Sequence, residues 1–130
     1  MIIDSSVIIA ILAPEPDAAI FTNAILDADH CLLSAASYVE VSIIIDKRRP
    51  DHVDTLLDQF LAQSRIDIVP VTASQARLAR EAYRRFGKGR RHPAKLNYGD
   101  SFTYALAKET GEPLLFKGGD FALTDIKPAI

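Results

Sequence analysis

The feature of this sequence that most restricts its fold is a set of short apolar segments separated by longer amphipathic ones. The apolar segments predict strands at Ile2–Ile3, Cys31–Ser34, Ile66–Val69 and 114–116, with a last short strand near Ile126. Strands that are apolar along their whole length are typical of a parallel sheet, because its crossover helices cover both faces. We therefore predict an α/β protein, a three-layer α/β/α sandwich around a central parallel β-sheet.

The segments between these strands carry helical spacing and helix-boundary residues. Ser5 or Ser6 is predicted to cap the first helix, Thr72 the fifth and Asn97 the sixth, and Gly111 is a natural end for the sixth. The predicted helices cover about 7–12, 17–28, 36–46, 51–61, 72–86 and 97–108. The alternation of strands and helices continues along the chain without a linker or a repeat.

Size and composition agree with a single compact domain. The chain has 130 residues, 48% hydrophobic and 25% charged, which excludes a disordered or low-complexity protein. We expect one domain over 1–130 and no membrane span, since no apolar stretch approaches the roughly 20 residues that a membrane helix needs. An acid stands at Asp4 and no lysine or arginine precedes Lys47, the reverse of a signal peptide with its cationic start, so we expect a cytoplasmic protein. Cys31 is the only cysteine and is expected in the core.

Four acidic residues stand where apolar or structural residues would be expected. Asp4 and Asp120 follow predicted strands, whereas Glu40 and Asp100 are isolated charges in apolar helices. The carboxyl ends of parallel strands face the ligand crevice, and acids are seldom buried unless they are paired or bind a metal. Two carboxylates about 4 Å apart repel by roughly 4 kcal/mol at an effective dielectric near 20, so convergence requires compensation. We predict an all-oxygen site for Mg²⁺ or Mn²⁺.

Each acid also has a purely structural explanation. Glu40 lies three residues after Ser37, and Asp100 lies three residues after Asn97, so each pair fits a capping box. Asp4 alone could cap a helix, and Asp120 alone could be a turn residue. These explanations account for the acids one at a time, and they are weaker for all four together.

A carboxylate-bound Mg²⁺ or Mn²⁺ is suited to phosphodiester hydrolysis, and a basic segment supplies the complementary charge. The predicted RNA-binding residues are Arg84, Arg85, Lys88, Arg90, Arg91 and Lys95. Gly87 and Gly89 are expected to make this loop mobile, and Phe86 and Tyr98 could stack on unpaired bases. The alternative is a solvated helix face and loop, or a contact between protein copies.

Four blocks of the sequence, taken in order, resemble the PIN domain and most closely its VapC ribonuclease toxins. They are MIIDSS at the start, SAASYVE ending at Glu40, LNYGD ending at Asp100 and LLFKGGDF ending at Phe121. The resemblance implies an α/β/α sandwich, an endoribonuclease dependent on Mg²⁺ or Mn²⁺, and usually a homodimer. It also implies inhibition by a small cognate antitoxin that inserts near the acidic site. Transfer RNA is a frequent target in the family, but no residue here selects it.

Carried over by position, the resemblance assigns metal binding and catalysis to Asp4, Glu40, Asp100 and Asp120. Thr124 and Asp125 are expected to support Asp120, and the hydroxyl of Ser5 or Ser6 to hold a metal-bound water or the Asp4 carboxylate. Many relatives carry a further acid close to the fourth one, where this chain has Gly118 and Gly119. We therefore expect one well-occupied ion in the free protein and a second that arrives with RNA.

Partners are also suggested by two apolar helical segments. Segments 7–12 and 53–61 are more hydrophobic than one small core is expected to absorb. We predict that one of them lines a groove for an antitoxin helix or forms a two-fold dimer face. Ordinary core packing is the alternative for both.

Two other functions fit parts of the pattern. A receiver-type signalling module also has an acidic Mg²⁺ pocket and a lysine after a late strand, for which Lys117 would qualify. That module needs paired acids at the first strand, however, and here Ser5 and Ser6 follow Asp4. A PIN-like protein that binds RNA or a partner without cutting is the other alternative, although a binding surface has no reason to keep four repelling carboxylates.

Overall fold

Four parallel strands form the centre of the molecule. In the computed structural model, which describes residues 1–52 and 55–130, they are β1 (Ile2–Ile3), β2 (Cys31–Ser34), β3 (Ile66–Val69) and β4 (Leu114–Leu115). Their order across the sheet is β3-β2-β1-β4. β2 and β3 pair along their full length, and Ile2 in β1 pairs with Leu32 on one side and Leu114 on the other. The predicted parallel sheet is confirmed.

The strand predicted near Ile126 is wrong. Leu114 and Pro128 form one isolated bridge, in which Leu114 N donates to Lys127 O (2.9 Å) and Ala129 N donates to Leu114 O (2.8 Å). A proline has no N–H to donate to a ladder, so it favours an isolated edge contact over a regular strand.

The helices cover both faces of the sheet. In the described part of the chain they are α1 (Ser5–Leu12), α2 (Ala18–Leu26), α3 (Ala35–Arg48), α4 (Leu56–Gln63), α5 (Ala73–Phe86) and α6 (Tyr98–Thr110). Ile3, Leu33 and Leu115 belong to the core shared with α1 to α4. Ile2 and Leu114 belong to the core shared with α5 and α6. Because two cores lie on opposite faces of one sheet, the molecule is the predicted three-layer α/β/α sandwich.

The helix predicted at 51–61 is divided differently. A single 3₁₀ turn covers Pro50–His52, and α4 begins at Leu56. Val53, the first residue of the predicted apolar stripe, lies outside the described residues.

The first residues of α1 and α3 show that two predicted capping interactions are wrong. Asp4, and not Ser5 or Ser6, caps α1, because its Oδ2 accepts the N–H of Ser6 at 3.0 Å. The hydroxyl of Ser34 caps α3, so Ser37 lies inside that helix and the capping-box explanation for Glu40 is wrong.

The start of α6 is as predicted. At the start of α5 the predicted cap forms, but the predicted return hydrogen bond from the Gln75 side chain does not. Asn97 and Asp100 form a complete capping box, and Gly111 ends α6 with a left-handed backbone (φ +70°). Thr72 caps α5 by accepting the N–H of Gln75 at 3.2 Å. The Gln75 side chain instead donates to Glu109 Oε2 at 2.7 Å, which joins α5 to α6.

The exposed apolar surface is not where the sequence predicts it. Val7 and Ile8 of α1 and Leu57 and Leu61 of α4 are buried, so the core absorbs most of both segments. The side of α3 around Glu40, expected to be buried, leaves exposed the apolar side chains Val39 and Ile43 (55% and 51%). The periodicity of α3 therefore indicates its length, but not which of its apolar residues face the core. None of the described helices is long and apolar enough to cross a membrane.

Candidate active site

The four predicted acids share one edge of the sheet. Asp4 directly follows β1 and Asp120 follows β4, while Glu40 lies in the second turn of α3 and Asp100 in the first turn of α6. Burial, together with the negative charges of the other three acids, raises the pKa of Asp100, although its bond to the Asn97 backbone lowers it. The structure therefore brings the four acids within electrostatic reach of one another.

Asp4 is buried and held on both carboxylate oxygens. Oδ2 accepts the N–H and the hydroxyl of Ser6 at 3.0 and 2.6 Å, and Oδ1 accepts the hydroxyl of Thr103 at 3.0 Å. Hydrogen bonds to an ionised acceptor are short and about twice as strong as neutral ones. These donors therefore fix the orientation of the Asp4 carboxylate.

A chain of hydroxyl groups connects Asp4 to the neighbouring elements. Thr103 donates to Asp4, and its oxygen lies 3.1 Å from the hydroxyl of Ser37 in α3. On the other side, Lys117 N after β4 donates to Ser6 Oγ at 3.0 Å. Thr103 and Ser37 are almost completely buried (both 1% exposed), so water does not replace either hydroxyl.

Sequence reasoning missed Thr103 and Ser37 as functional residues. The signal available was helical spacing, since Thr103 lies three residues after Asp100 and Ser37 three residues before Glu40. A polar residue one helical turn from a buried acid therefore faces the same part of the interior as that acid.

Glu40 is half-buried against the start of α6. Burial raises its pKa, the nearby Ser5 hydroxyl lowers it, and the charge of Asp4 raises it. A Cβ placed on Gly99 would lie 2.6 Å from Glu40 Oε1, so only glycine allows this approach. Ser5 thus lies beside Glu40, and the first turn of α6 supplies partial positive charge to the carboxylate.

Asp100 has both a structural and a site position. Its Oδ2 accepts the N–H of Asn97 at 2.8 Å, as the capping-box explanation predicts. Burial and the surrounding acids raise its pKa to about 7, so near neutral pH it is partly protonated. Within the described residues its Oδ1 accepts no hydrogen bond, which leaves this oxygen available to a ligand.

The segment that follows β4 carries Asp120, whose charge acts on Asp100, together with Thr124 and Asp125. Asp120 is exposed and precedes the 3₁₀ turn Phe121–Leu123, which Thr124 closes by donating to Phe121 O at 2.7 Å. The contacts of Asp125 are with Tyr104, Lys108 and Arg85, outside this turn. Thr124 therefore supports the turn after Asp120, whereas Asp125 links it to α5 and α6.

Four of the six predicted RNA-binding residues, Lys88, Arg90, Arg91 and Lys95, lie in the loop 87–97 between α5 and α6. We call it the anchored loop, because backbone hydrogen bonds close its base. Lys88 N donates to Leu96 O and Leu96 N donates to Phe86 O, both at 2.8 Å. A Cβ on Gly87 would meet Tyr83 O at 2.2 Å, so this glycine allows close packing against the last turn of α5. Gly89, in contrast, has a left-handed backbone (φ +85°) in open space.

The cations differ in availability. Lys88, Arg91 and Lys95 line a depression of about 500 Å³ on the outside of the loop, and Arg84 and Arg90 are exposed. Arg85 is occupied instead, because it pairs with Asp125 at 3.5 Å and covers the ring of Phe86 at 4.6 Å.

The two aromatic residues considered for stacking on RNA bases, Phe86 and Tyr98, also differ in exposure. Phe86 is buried against His92 and Tyr104, so its predicted stacking on RNA bases is wrong. Tyr98 is 77% exposed.

The donor set fits a hard divalent cation. It consists of four carboxylates with nearby hydroxyl groups, and oxygen ligands of this kind suit Mg²⁺ or Mn²⁺. Over residues 1–52 and 55–130, no three acidic, histidine or cysteine side chains already stand together as a metal-binding group.

The lysine that suggested a receiver module is engaged elsewhere. The ammonium of Lys117 binds the carboxylates of Glu15 and Asp17, the latter at 2.9 Å. It therefore joins the end of β4 to the α1–α2 connection, and the receiver alternative loses the residue that favoured it.

Comparison with known proteins assigns the family. The PIN domain model matches residues 1–127. The chain is 48% identical over 130 residues to VapC ribonuclease Mb0625 of Mycobacterium bovis, covering 100% of this chain and 98% of that protein. It is 50% identical over 126 residues to ribonuclease VapC of Mycolicibacterium smegmatis, covering 97% of each.

Two solved structures share the fold at low sequence identity. VapC20 of Mycobacterium tuberculosis, a toxin described as cleaving the sarcin-ricin loop, superposes with a TM-score of 0.77 at 16% identity, over 96% of this chain and 95% of that one. A toxin-antitoxin complex from Klebsiella pneumoniae gives 0.69 at 17% identity, over 93% and 89%. From the end-to-end sequence matches, with the same fold and an acidic edge, the chain belongs to the PIN-domain family and, within it, to the VapC ribonucleases.

Proposed function

We propose that this chain is an endoribonuclease that hydrolyses RNA phosphodiester bonds with a divalent cation and acts as the toxin of a VapBC-type pair. The observation that supports this most directly is the placement of four acids at one edge of the sheet, where burial first, and then the charges of the other three acids, raise the pKa of Asp100 to about 7. A fold does not need four like charges at one edge of its sheet, whereas a metal-dependent nuclease does.

The catalytic and metal-binding residues of this proposal are Asp4, Glu40, Asp100 and Asp120. A bound Mg²⁺ or Mn²⁺ would supply an activated water and offset charge on the phosphate. Asp4 presents a carboxylate fixed by Ser6 and Thr103. Asp100 must release its proton before both of its oxygens can act as ligands. Ser5 orients Glu40, and Thr124 holds the turn that carries Asp120.

The RNA backbone is proposed to lie along the exposed cations of α5 and the anchored loop. These are Arg84, Lys88, Arg90, Arg91 and Lys95, none of which forms a salt bridge with another described residue. Arg85 contributes less, because its charge is already paired with Asp125. Contacts of this kind bind phosphate without reading sequence, and they weaken as salt concentration rises.

An antitoxin is the proposed protein partner, by analogy with the toxin-antitoxin complex from Klebsiella pneumoniae. The exposed apolar residues Val39 and Ile43 lie one helical turn apart on α3, close to Glu40, and they suit an amphipathic antitoxin segment. A homodimer and a cytoplasmic location are further proposals. Transfer RNA is one candidate substrate, and ribosomal RNA is another.

The test is cleavage of total RNA by the purified, antitoxin-free protein with Mg²⁺ or Mn²⁺. The pool contains transfer and ribosomal RNA, so mapping the fragment ends identifies the substrate. We expect discrete fragments that disappear with EDTA and in the Asp4→Asn and Asp100→Asn variants.

The matched control is Asp29→Asn, which removes an exposed acid just before β2, at the opposite edge of the sheet. This variant should cut as the unmodified protein does. No cleavage by a folded protein that binds Mn²⁺, or full cleavage by Asp4→Asn, would contradict the proposal.

A further inference from the structure

A small cleft separates α5 from α6 beside the acidic edge. Its volume is about 220 Å³, and its lining includes Ala76, Ala79, Arg80, Tyr83, Tyr98 and Phe102. Pockets for drug-sized ligands occupy about 300–1,000 Å³, so this cleft suits a single ring system. Its walls are mainly apolar and aromatic, with one cationic side chain.

Tyr98 is the unusual member of this lining. Its side chain is 77% exposed, more than any other large apolar or aromatic residue among those described. It meets Phe102 edge-on, with ring centroids 5.0 Å apart and the rings at 80°. This contact holds the Tyr98 ring in place while most of its surface stays open to a ligand.

A row of arginines runs along the α5 side of the cleft. Arg77, Arg80 and Arg84 are spaced three and four residues apart, which places them on one face of the helix. All three are exposed, and none forms a salt bridge with another described residue. The cleft is therefore an apolar slot beside a line of positive charge, which complements a base attached to a phosphate chain.

The position of the cleft joins the two parts of the proposed RNA path. Tyr98 stands two residues before Asp100, at the first position of α6. On the other side, the hydroxyl of Tyr83 donates to Lys88 O in the anchored loop at 3.3 Å. A strand that lies on the loop cations and reaches the acids passes this slot.

We propose that the α5–α6 cleft binds one unpaired nucleobase of the RNA, stacked on Tyr98, with the adjoining phosphates held by Arg77, Arg80 and Arg84. The inference rests on the proposed function for its ligand, since RNA is the substrate there. The cleft favours an unpaired base, because a base inside a duplex must first give up its pairing and stacking before it can enter the cleft.

The experiment measures binding in EDTA, without catalysis, by fluorescence anisotropy with two labelled ten-nucleotide single-stranded RNAs. One is a random-sequence pool, and the other has abasic sugars at all ten positions, so it keeps the phosphates alone. Tyr98→Ala should weaken binding of the intact RNA about 5- to 150-fold, the range for loss of one base–aromatic stack. It should leave binding of the abasic RNA unchanged.

Three further variants sharpen the result. Tyr98→Phe keeps the ring and should bind as the unmodified protein does. Leu26→Ala removes another exposed apolar side chain (71%), on α2, and should change neither RNA. Arg80→Gln should weaken both RNAs, more strongly at low salt.

The proposal is overturned if Tyr98→Ala binds the intact RNA normally, or weakens both RNAs equally. It is also overturned if Tyr98→Ala changes only the mass measured by sedimentation, since the cleft is then a protein interface. The cleavage assay with unmodified protein separates the two claims. Base-dependent binding through Tyr98 without any cleavage supports the cleft and refutes the nuclease, and cleavage without a Tyr98 effect does the reverse.

Discussion

Replacement of Thr103 by valine tests whether the hydroxyl chain orients the buried Asp4 carboxylate. Valine has nearly the same shape as threonine, so Thr103→Val removes the hydroxyl and leaves no cavity. Asp4 Oδ1 loses its donor at 3.0 Å, and Ser37 loses its partner at 3.1 Å. A hydrogen bond to a charged group contributes about 1.5–3 kcal/mol and a neutral one about 0.5–1.5 kcal/mol. We expect the free energy of unfolding to fall by about 2–4.5 kcal/mol in urea titrations.

The same change should weaken metal binding as well as stability. Partners that orient a metal-binding side chain typically account for a 10- to 100-fold difference in metal affinity. Mn²⁺ titration by calorimetry should show a loss of that size in Thr103→Val and near-complete recovery in Thr103→Ser, which restores the hydroxyl. Recovery by serine separates orientation of Asp4 from a general loss of packing.

Thr110→Val is the matched control in the same helix. The Thr110 hydroxyl donates to a backbone carbonyl, Leu106 O, at 2.8 Å, away from the acids. The same hydroxyl accepts the N–H of Glu112 at 3.3 Å, so the variant loses two neutral hydrogen bonds. Its free energy of unfolding should fall by no more than about 3 kcal/mol, and it should bind Mn²⁺ normally. If Thr103→Val retains normal Mn²⁺ affinity, or if Thr103→Ser is no better than valine, the proposed orientation of Asp4 is refuted.

Three further predictions follow from the site. The pKa of Asp100 is about 7 in the folded protein, against about 4 in an unfolded chain. Between these values the metal-free folded state holds a proton that the unfolded state has released. The free energy of unfolding should therefore fall as the pH rises from about 4 to about 7. Asp100→Asn should remove that decline, raise the metal-free melting temperature at pH 8 and abolish cleavage. If the stability of Asp100→Asn depends on pH as that of the unmodified protein does, the prediction is contradicted. Gly99→Ala places a Cβ 2.6 Å from Glu40 Oε1, so cleavage and Mn²⁺ affinity should fall. Stability should not fall, since alanine favours a helix more than glycine does. Normal Mn²⁺ affinity in this variant would refute the close approach. Calorimetry of the free protein should find one tight Mn²⁺ site, because Gly118 and Gly119 supply no further carboxylate, and two tight sites without RNA would refute this.

Local patterns were sufficient for most of the fold. The bounds of β1, β2 and β3 agree with the prediction, because each is a short, largely apolar segment followed by a helical one. The capping box of Asn97 and Asp100 was also predictable, since its two hydrogen bonds join residues three apart. The residue that caps α1 was not predictable, because Asp4, Ser5 and Ser6 are all good capping residues. In the structure Asp4, which directly follows β1, is the cap.

The acids could be singled out for a similar reason, whereas the supports around them could not. Glu40 and Asp100 stand out as charges within apolar helical segments, and Asp4 and Asp120 as acids that follow strands, and both patterns are visible in the sequence alone. The bond between Thr103 and Asp4, in contrast, joins residues 99 positions apart. No local pattern distinguishes a threonine that faces a buried acid from one that faces an apolar core.

Surface and interior are the clearest case of what tertiary structure alone decides. Val39 and Ile43 are as apolar as Val7 and Ile8, and all four lie in helices, yet the first pair is exposed and the second is buried. Helical periodicity establishes which side chains share a face, because the 3.6-residue repeat is a property of the backbone. Whether that face meets the sheet, solvent or RNA depends on how distant segments pack, and only the assembled sandwich determines it.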